Sequence, residues 1–411
     1  MNILHIVGGN LTNGAAKGAY LLHKALREKG VESKIFTNSK ITFGDKDIIS
    51  VGASKFGYVK SMIKAQIDVN IASIYKNREK RLFSTGFLGY DFTKLKEYKK
   101  ADIIHLHRIN SGLVNIKDLS KINKPVVWTI RDMWPMTGGC HYSECDKYES
   151  KCGSCPQLKS NFEYDLSRIV FNRKEKFYPK TMKIVGISNW ISEVAKKSFL
   201  FRDYDVRTIF NNVDTDEFAP IDKKVAKEIL GIKSNKKVVL VGAQSLNDFY
   251  KGFDKFLEAI KFLKGKYLFL FFGNLDESVL PDIEYKSFGF LLDVLSLRIL
   301  YSASDVFVAP SILEAFGKTL VEAMNSKTPV VCFDATGPRD IVEHKISGYK
   351  AKPFSPKDLA NGIEWVLNLG ENEYNKICEN AREKVLKEFD SRVVAKRYIE
   401  LYKRILKGKI K

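Results

Sequence analysis

Residues 305–324, DVFVAPSILEAFGKTLVEAM, constrain this chain more than any other stretch. An apolar run at 306–309 has strand character and breaks at Pro310-Ser311. Leu320, Val321, Ala323 and Met324 then group at helical spacing, and a second apolar run follows at 329–333. Strand, loop, helix and strand in so short a span read as one βαβ unit. Glu314 falls in the loop beyond the first strand's carboxyl end. Glu322, eight residues on, falls in the first turns of the helix. Open α/β sheets bind ligands in that crevice. Free backbone N–H groups around 316–319 would point at an anion there. The structural alternative is a buried helix start whose acids only cap it and offset its dipole.

The same alternation recurs along the chain. Residues 3–7 (ILHIV) lead through Gly8-Gly9-Asn10-Leu11-Thr12-Asn13-Gly14 into a helical pattern at Ala15, Ala19, Leu22 and Leu26. Gly30 ends that helix and Ile35-Phe36 begin a second strand. This is the β–glycine-rich loop–α–β opening of doubly wound domains, without the G-x-G-x-x-G spacing of dinucleotide binders. Further strands are predicted at 102–107 (DIIHLH), 125–130 (PVVWTI), 183–187 (KIVGI), 238–241 and 267–273. A short one is bounded by Gly348 and Pro353. A chain of 411 residues is too long for one ordinary domain, and 45% hydrophobic residues is ample for two packed cores. Two doubly wound α/β domains follow from the alternation on both sides of residue 210, with a basic amphipathic helix at 392–409.

The E-x7-E spacing with its Phe316-Gly317 step resembles the signature of family 4 retaining glycosyltransferases. The resemblance implies the GT-B fold: an N-terminal Rossmann-like acceptor domain at 1–208 and a donor domain at 209–388, facing across a cleft. Residues 207–218 resemble the family's interdomain linker, and residues 389–411 would return as a helix to the first domain. It also implies a nucleotide-sugar site. Glu322 would bind the ribose hydroxyls, Glu314 the transferred sugar, and the backbone of Phe316, Gly317, Lys318, Thr319 and Leu320 the diphosphate. Gly14 closes the glycine-rich loop, where Asn13 stands in place of a commoner glycine. Lys251, in the K-G step before a helix, would stabilise the departing diphosphate. The arginine the family carries soon after its glycine is Ala243 here, and Lys318 is a substitute cation.

The run WTIRDMWPMTGGCHY at 128–142 is similar to W-T-x-H-D-x-W-x-x-T-G-x-C-H-Y of the bacterial polysaccharide-, O-antigen- and capsule-assembly branch. Arg131 replaces a histidine that contacts the donor sugar. It cannot act as a base, but its fork can hold phosphate or carboxylate. His107 and Asp132 are cleft residues on the acceptor side by resemblance. The implied activity is retaining hexosyl transfer from a UDP- or GDP-sugar to a glycan or lipid-linked acceptor, with no catalytic metal. The leaving phosphate itself would take the acceptor's proton. A GT-B nucleotide-sugar epimerase and a non-catalytic sugar-nucleotide binder are the alternatives, the second kept open by Arg131 and Ala243.

Cys140, Cys145, Cys152 and Cys155 fall within sixteen residues, in a loop spanning 140–155. Clustered cysteines in a cytoplasmic chain favour a metal over disulfides, which makes them a candidate structural zinc site. His105 and His107 alone are a weak metal signal, since no third ligand is in view.

The net charge is +20, with Lys and Arg spread widely and no nucleic-acid motif, so no nucleic-acid partner is expected. Solubility and contact with an anionic membrane are the two readings of that charge. A helical pattern at 59–75 with lysines around it suits such a surface, as it suits an ordinary solvated face. No window approaches a transmembrane span, and MNILHIVGG enters a strand without a signal-peptide n-region. The expected location is the cytoplasm, peripheral to the inner face of the cell membrane.

Overall fold

The computed structural model describes residues 1–12, 14–291 and 293–408. The chain divides into two compact units: Met1–Phe210 with the chain from Val394 onward, and Asn211–Val393.

Unit 1 holds seven strands: β1 (Asn2–Val7), β2 (Glu32–Thr37), β3 (Ile48–Ser50), β4 (Ile103–Leu106), β5 (Val126–Ile130), β6 (Lys183–Gly186) and β7 (Val206–Thr208). They pair in the order β3-β2-β1-β4-β5-β6-β7, all parallel. Unit 2 holds β8 (Val238–Ser245), β9 (Leu268–Asn274), β10 (Tyr285–Ser287), β11 (Val306–Ala309), β12 (Val330–Phe333) and β13 (Gly348–Ala351). Their order is β10-β9-β8-β11-β12-β13, again all parallel. Helices cover both faces of such sheets, so their strands are buried on both sides and read as continuous apolar runs. Every residue of β4, β5, β6, β11 and β12 is buried.

Each sheet reverses its strand order once, between β1 and β4 in unit 1 and between β8 and β11 in unit 2. Loops leaving the carboxyl ends of the two strands diverge at such a point and open a crevice. At the first reversal, Gly8 lies where a Cβ would come within 2.6 Å of the Arg108 carbonyl oxygen, so only glycine fits. Helix α1 (Gly14–Glu28) follows that loop. Asn13, the residue expected to replace a loop glycine, lies outside the described residues.

The helix Ser391–Leu406 lays Val394, Ala395, Tyr398, Leu401 and Tyr402 on a core with Ile3, Leu26, Ile103, Val127 and Val185. The sequence pattern placed this helix at 392–409; Lys409 is not described. Two edge strands escaped the sequence pattern. Both β3 and β7 are three residues long, too short to show a period, and β7 occupies the start of the stretch read as linker.

Candidate active site

In unit 2 the loops after β8 and β11 meet at the strand reversal. The β8 loop ends in Lys251-Gly252, then the helix Phe253–Ile260. Gly252 has φ +62°, and a Cβ there would lie 2.1 Å from the Pro310 carbonyl oxygen. Glycine alone permits both the left-handed backbone and the close approach. The backbone N–H of Ile312 donates to the Tyr250 carbonyl at 2.9 Å, tying the two loops together. These constraints bring the Lys251 ammonium to 3.0 Å from the Glu314 carboxylate. Ser311 Oγ donates to the same carboxylate oxygen at 3.0 Å. Behind it, Gly337 N–H donates to the Glu314 carbonyl at 2.8 Å, and Glu314 N–H to Thr336 Oγ1 at 3.3 Å.

The second carboxylate belongs to the helix Lys318–Asn325. Gly317, at φ +111°, turns the chain into it. Glu322 is buried and accepts from the Tyr301 hydroxyl at 3.2 Å, while Lys318 lies 3.5 Å away, one turn back. Burial beside this carboxylate pushes the Tyr301 phenol well above its ordinary range. Phe316 is buried against the Phe389 ring edge-on, at 5.5 Å between centroids. The arrangement offers two carboxylates, two ammonium groups and the start of a helix at one sheet end, suited to a ligand carrying both hydroxyls and phosphates.

Ala243 departs from what a cation at that position would need. Its side chain is buried in the core with Val241, Phe256 and Phe271, so an arginine there would have to leave the core to reach an anion. Lys251 and Lys318 are the cations the described residues place beside Glu314 and Glu322.

The other predicted site residues lie in unit 1. His107 is buried, and its Nε2 shares a hydrogen bond of 2.9 Å with His5 Nδ1. His105 bonds Tyr402 at 2.6 Å and Thr129 at 2.7 Å. Burial first, and then the charges of neighbouring histidines and of Arg131, hold the imidazoles of His5, His105 and His107 well below their ordinary pKa. Arg131 is 8% exposed beside them, and burial brings its guanidinium down to about 10. His5 supplies the third histidine that sequence reasoning lacked. It escaped notice because it sits a hundred residues away and meets His105 only through strand register. One ring nitrogen from each of the three lies within 4.8 Å of those of the other two. Both nitrogens of His105 are engaged, while the bond between His5 and His107 leaves His5 Nε2 and His107 Nδ1 buried without a hydrogen-bond partner, with a guanidinium close by.

Asp132 accepts from Trp134 N–H at 3.0 Å and pairs with His141 Nδ1 at 2.8 Å, which holds its carboxyl below the usual range against the cost of burial. His141 in turn meets Ser84 Oγ at 2.9 Å. Gly14 has φ +51° and open space around it. Arg108 was missed by sequence reasoning. It lies two residues past the end of β4, and its guanidinium lies 2.8 Å from where a Cβ on Gly9 would be.

The four cysteines of the loop gather together. Cys140 and Cys155 hydrogen-bond each other, raising the first thiol well above its ordinary range and lowering the second. Cys152 Sγ accepts from Gly138 N–H at 3.1 Å, and Cys145 meets Ser143 Oγ at 3.2 Å. All are free thiols.

Two doubly wound parallel-sheet units with a polar crevice at a strand reversal define the GT-B class of glycosyltransferases. The chain matches the family described as Glycosyltransferase Family 4 over residues 12–217, and Glycosyl transferases group 1 over 222–384. It belongs to glycosyltransferase family 4. It is 26% identical over 345 residues to an uncharacterised glycosyltransferase of Methanocaldococcus jannaschii, covering 79% of this chain and 78% of that one. It is 29% identical over 205 residues to N,N'-diacetylbacillosaminyl-diphospho-undecaprenol alpha-1,3-N-acetylgalactosaminyltransferase of Campylobacter jejuni, covering 48% of this chain and 53% of that protein. A third relative, 26% identical over 246 residues, is UDP-Gal:alpha-D-GlcNAc-diphosphoundecaprenol alpha-1,3-galactosyltransferase of Escherichia coli, with 54% and 60% covered. Among solved structures, sucrose-phosphate synthase of Thermosynechococcus elongatus superimposes with a TM-score of 0.70 at 18% identity, covering 99% of this chain and 100% of that one. HepE of Anabaena, solved with UDP and glucose, gives 0.62 at 17% identity, covering 98% and 99%.

Proposed function

We propose that this glycosyltransferase moves a sugar, with retention of anomeric configuration, from a UDP-sugar to a lipid-linked acceptor in cell-surface polysaccharide assembly. The observation that carries the reading is the pair of carboxylates at the β11 reversal, Glu314 held by Lys251 and Glu322 held by Tyr301 and Lys318. On this reading Glu322 takes the ribose hydroxyls and Glu314 the transferred sugar. The bond from the anomeric carbon to phosphate breaks, the bond to the acceptor oxygen forms on the same face, and the departing diphosphate takes the acceptor's proton. Lys251, Lys318 and the N–H groups at the start of the Lys318 helix oppose the charge that builds on that diphosphate. The acceptor class is supported by the diphospho-undecaprenol named for two relatives, and UDP by one relative's donor and one neighbour's ligand. A cytoplasmic enzyme peripheral to the membrane accords with such an acceptor. Among the described residues, no helix is long and apolar enough to cross a membrane.

Thermal unfolding with UDP, GDP and ADP tests the donor reading. UDP at a hundredfold excess over its dissociation constant should stabilise the fold by about 2.7 kcal/mol. No stabilisation by any of the three would sink it.

The cysteine cluster has the donor set of a structural zinc, which would draw the four sulfurs of Cys140, Cys145, Cys152 and Cys155 inward and remove their protons. On this reading purified protein carries about one zinc per chain. Metal analysis showing far less would leave them as packing thiols.

A further inference from the structure

Helix α2 (Lys55–Asn70) is built inside out. Phe56, Val59, Ile63 and Ile67 recur every three or four residues, with Met62 beside them, and all face solvent. Phe56 is 80% exposed and even Ile67 is 45% exposed. The buried side chains of the helix are Ser61 and Asp68. A surface helix ordinarily turns its apolar stripe inward and its polar face to water.

Polar ties hold the wrong face down. Asp68 Oδ1 accepts from Thr85 Oγ1 and from Gly86 N–H, each at 2.6 Å. Ser61 Oγ meets the Tyr90 hydroxyl at 3.0 Å. Lys64 donates to the Gly89 carbonyl at 2.6 Å and lies 3.6 Å above the Tyr90 ring. The helix backbone also presses on Gly112, where a Cβ would come within 2.7 Å of Ala65 N. Rolling the helix to bury its apolar stripe would break all of these contacts and strand a buried carboxylate, so the exposed stripe is a fixed feature of the fold.

The charge around the stripe selects what covers it. Asp68 is the one acidic residue of α2, and it is buried. At 100° per residue, Lys55 and Lys60 fall on either side of the stripe, both exposed. Lys76 and Lys80 follow in the next segment, also exposed. An apolar stripe edged with ammonium groups complements the boundary of an anionic bilayer: side chains enter the acyl region and lysines reach the phosphates. A second copy of this face would set lysine against lysine.

We propose that α2 is the face on which this protein seats on an anionic lipid surface, with Phe56, Val59, Ile63 and Ile67 at the acyl boundary and Lys55 and Lys60 on headgroup phosphates. The proposal takes its setting from the lipid-linked acceptor reading above, and its test separates the two. The full chain is sedimented with phosphatidylcholine vesicles, with and without phosphatidylglycerol, in the absence of nucleotide and acceptor. It should bind the anionic vesicles, and more weakly as salt rises. Phe56→Glu with Ile63→Glu should abolish binding while leaving the melting temperature and its shift by UDP unchanged. Lys55→Glu with Lys60→Glu should weaken binding by about 30-fold or more, from about 1 kcal/mol per lysine. Vesicle binding without any UDP shift would keep the docking face and remove the donor reading. A UDP shift without vesicle binding would overturn the docking face alone. Equal vesicle binding by the Phe56→Glu/Ile63→Glu variant would also overturn it, as would loss of a dimer in ultracentrifugation with vesicle binding unmoved, which would assign the face to a second copy.

Discussion

At the residue scale the proposed donor site would separate binding from turnover. Glu322 is buried with Tyr301 and Lys318 in place around it, so it is preorganised to accept hydroxyl donors. Glu322→Ala should weaken UDP binding by about 10- to 100-fold, the loss of a hydrogen bond to a charged group, read by calorimetry. Glu314 engages Lys251 and Ser311 near the strand reversal. Glu314→Ala should lower kcat by about 100-fold or more with little change in UDP affinity, read by sugar transfer in single-turnover experiments. Equal losses of affinity in the two variants would contradict this division. Arg131, which the WTIRDMW run sets near the donor sugar by resemblance, is buried beside His5, His105 and His107 in unit 1.

At the scale of elements, two contacts decide how strands and helices are held. Gly252 lets the β8 loop press on Pro310. Gly252→Ala should destabilise the protein by about 1–3 kcal/mol and displace Lys251, lowering both the melting temperature and activity. The C-terminal helix reaches the β4–β5 face through hydroxyls as well as apolar packing: Tyr402 bonds His105 and Tyr398 meets Thr129 at 2.7 Å. Tyr402→Phe leaves His105 Nδ1 buried without that partner. The cost should be about 1–3 kcal/mol, measured by denaturant unfolding. The amphipathic pattern of this helix was plain in the sequence, but its hydroxyl partners were not, because they lie nearly three hundred residues away.

At the scale of the whole molecule, the buried histidines tie stability to pH. Their neighbours across the packed elements are His23, Arg131, Tyr398, Tyr402 and Thr129. In the unfolded chain each imidazole takes up a proton near pH 6.5; in the fold, burial keeps the proton off until well below that. As pH falls, protons therefore load the unfolded state first. The contribution of these groups to stability is full above about pH 6.5 and declines below it, by up to about 4 kcal/mol per pH unit if all three stay neutral in the fold. Melting temperatures from pH 8 down to pH 5 check this. A flat profile would mean that the cluster opens to accept protons without unfolding.

The sequence by itself determined the alternation of apolar runs and helical stripes, hence two parallel sheets, because strands buried on both faces must be apolar throughout. It also determined the Glu314–Glu322 spacing and the Lys251-Gly252 step, since local turn chemistry sets them. Only the tertiary structure decided the rest. Strand register put His5 against His105. The meeting of two loops at a strand reversal put Lys251 on Glu314. At 59–75 the periodicity was legible as a helix, but which side faces water was not. Ordinary hydrophobic burial would turn Phe56 and Ile63 inward. Instead, a buried Asp68 bonded to a distant loop holds the polar face down and leaves the apolar one outside. Local sequence cannot show that outcome, because the groups that hold the helix in place come from Thr85, Gly86 and Tyr90, far beyond one helical turn.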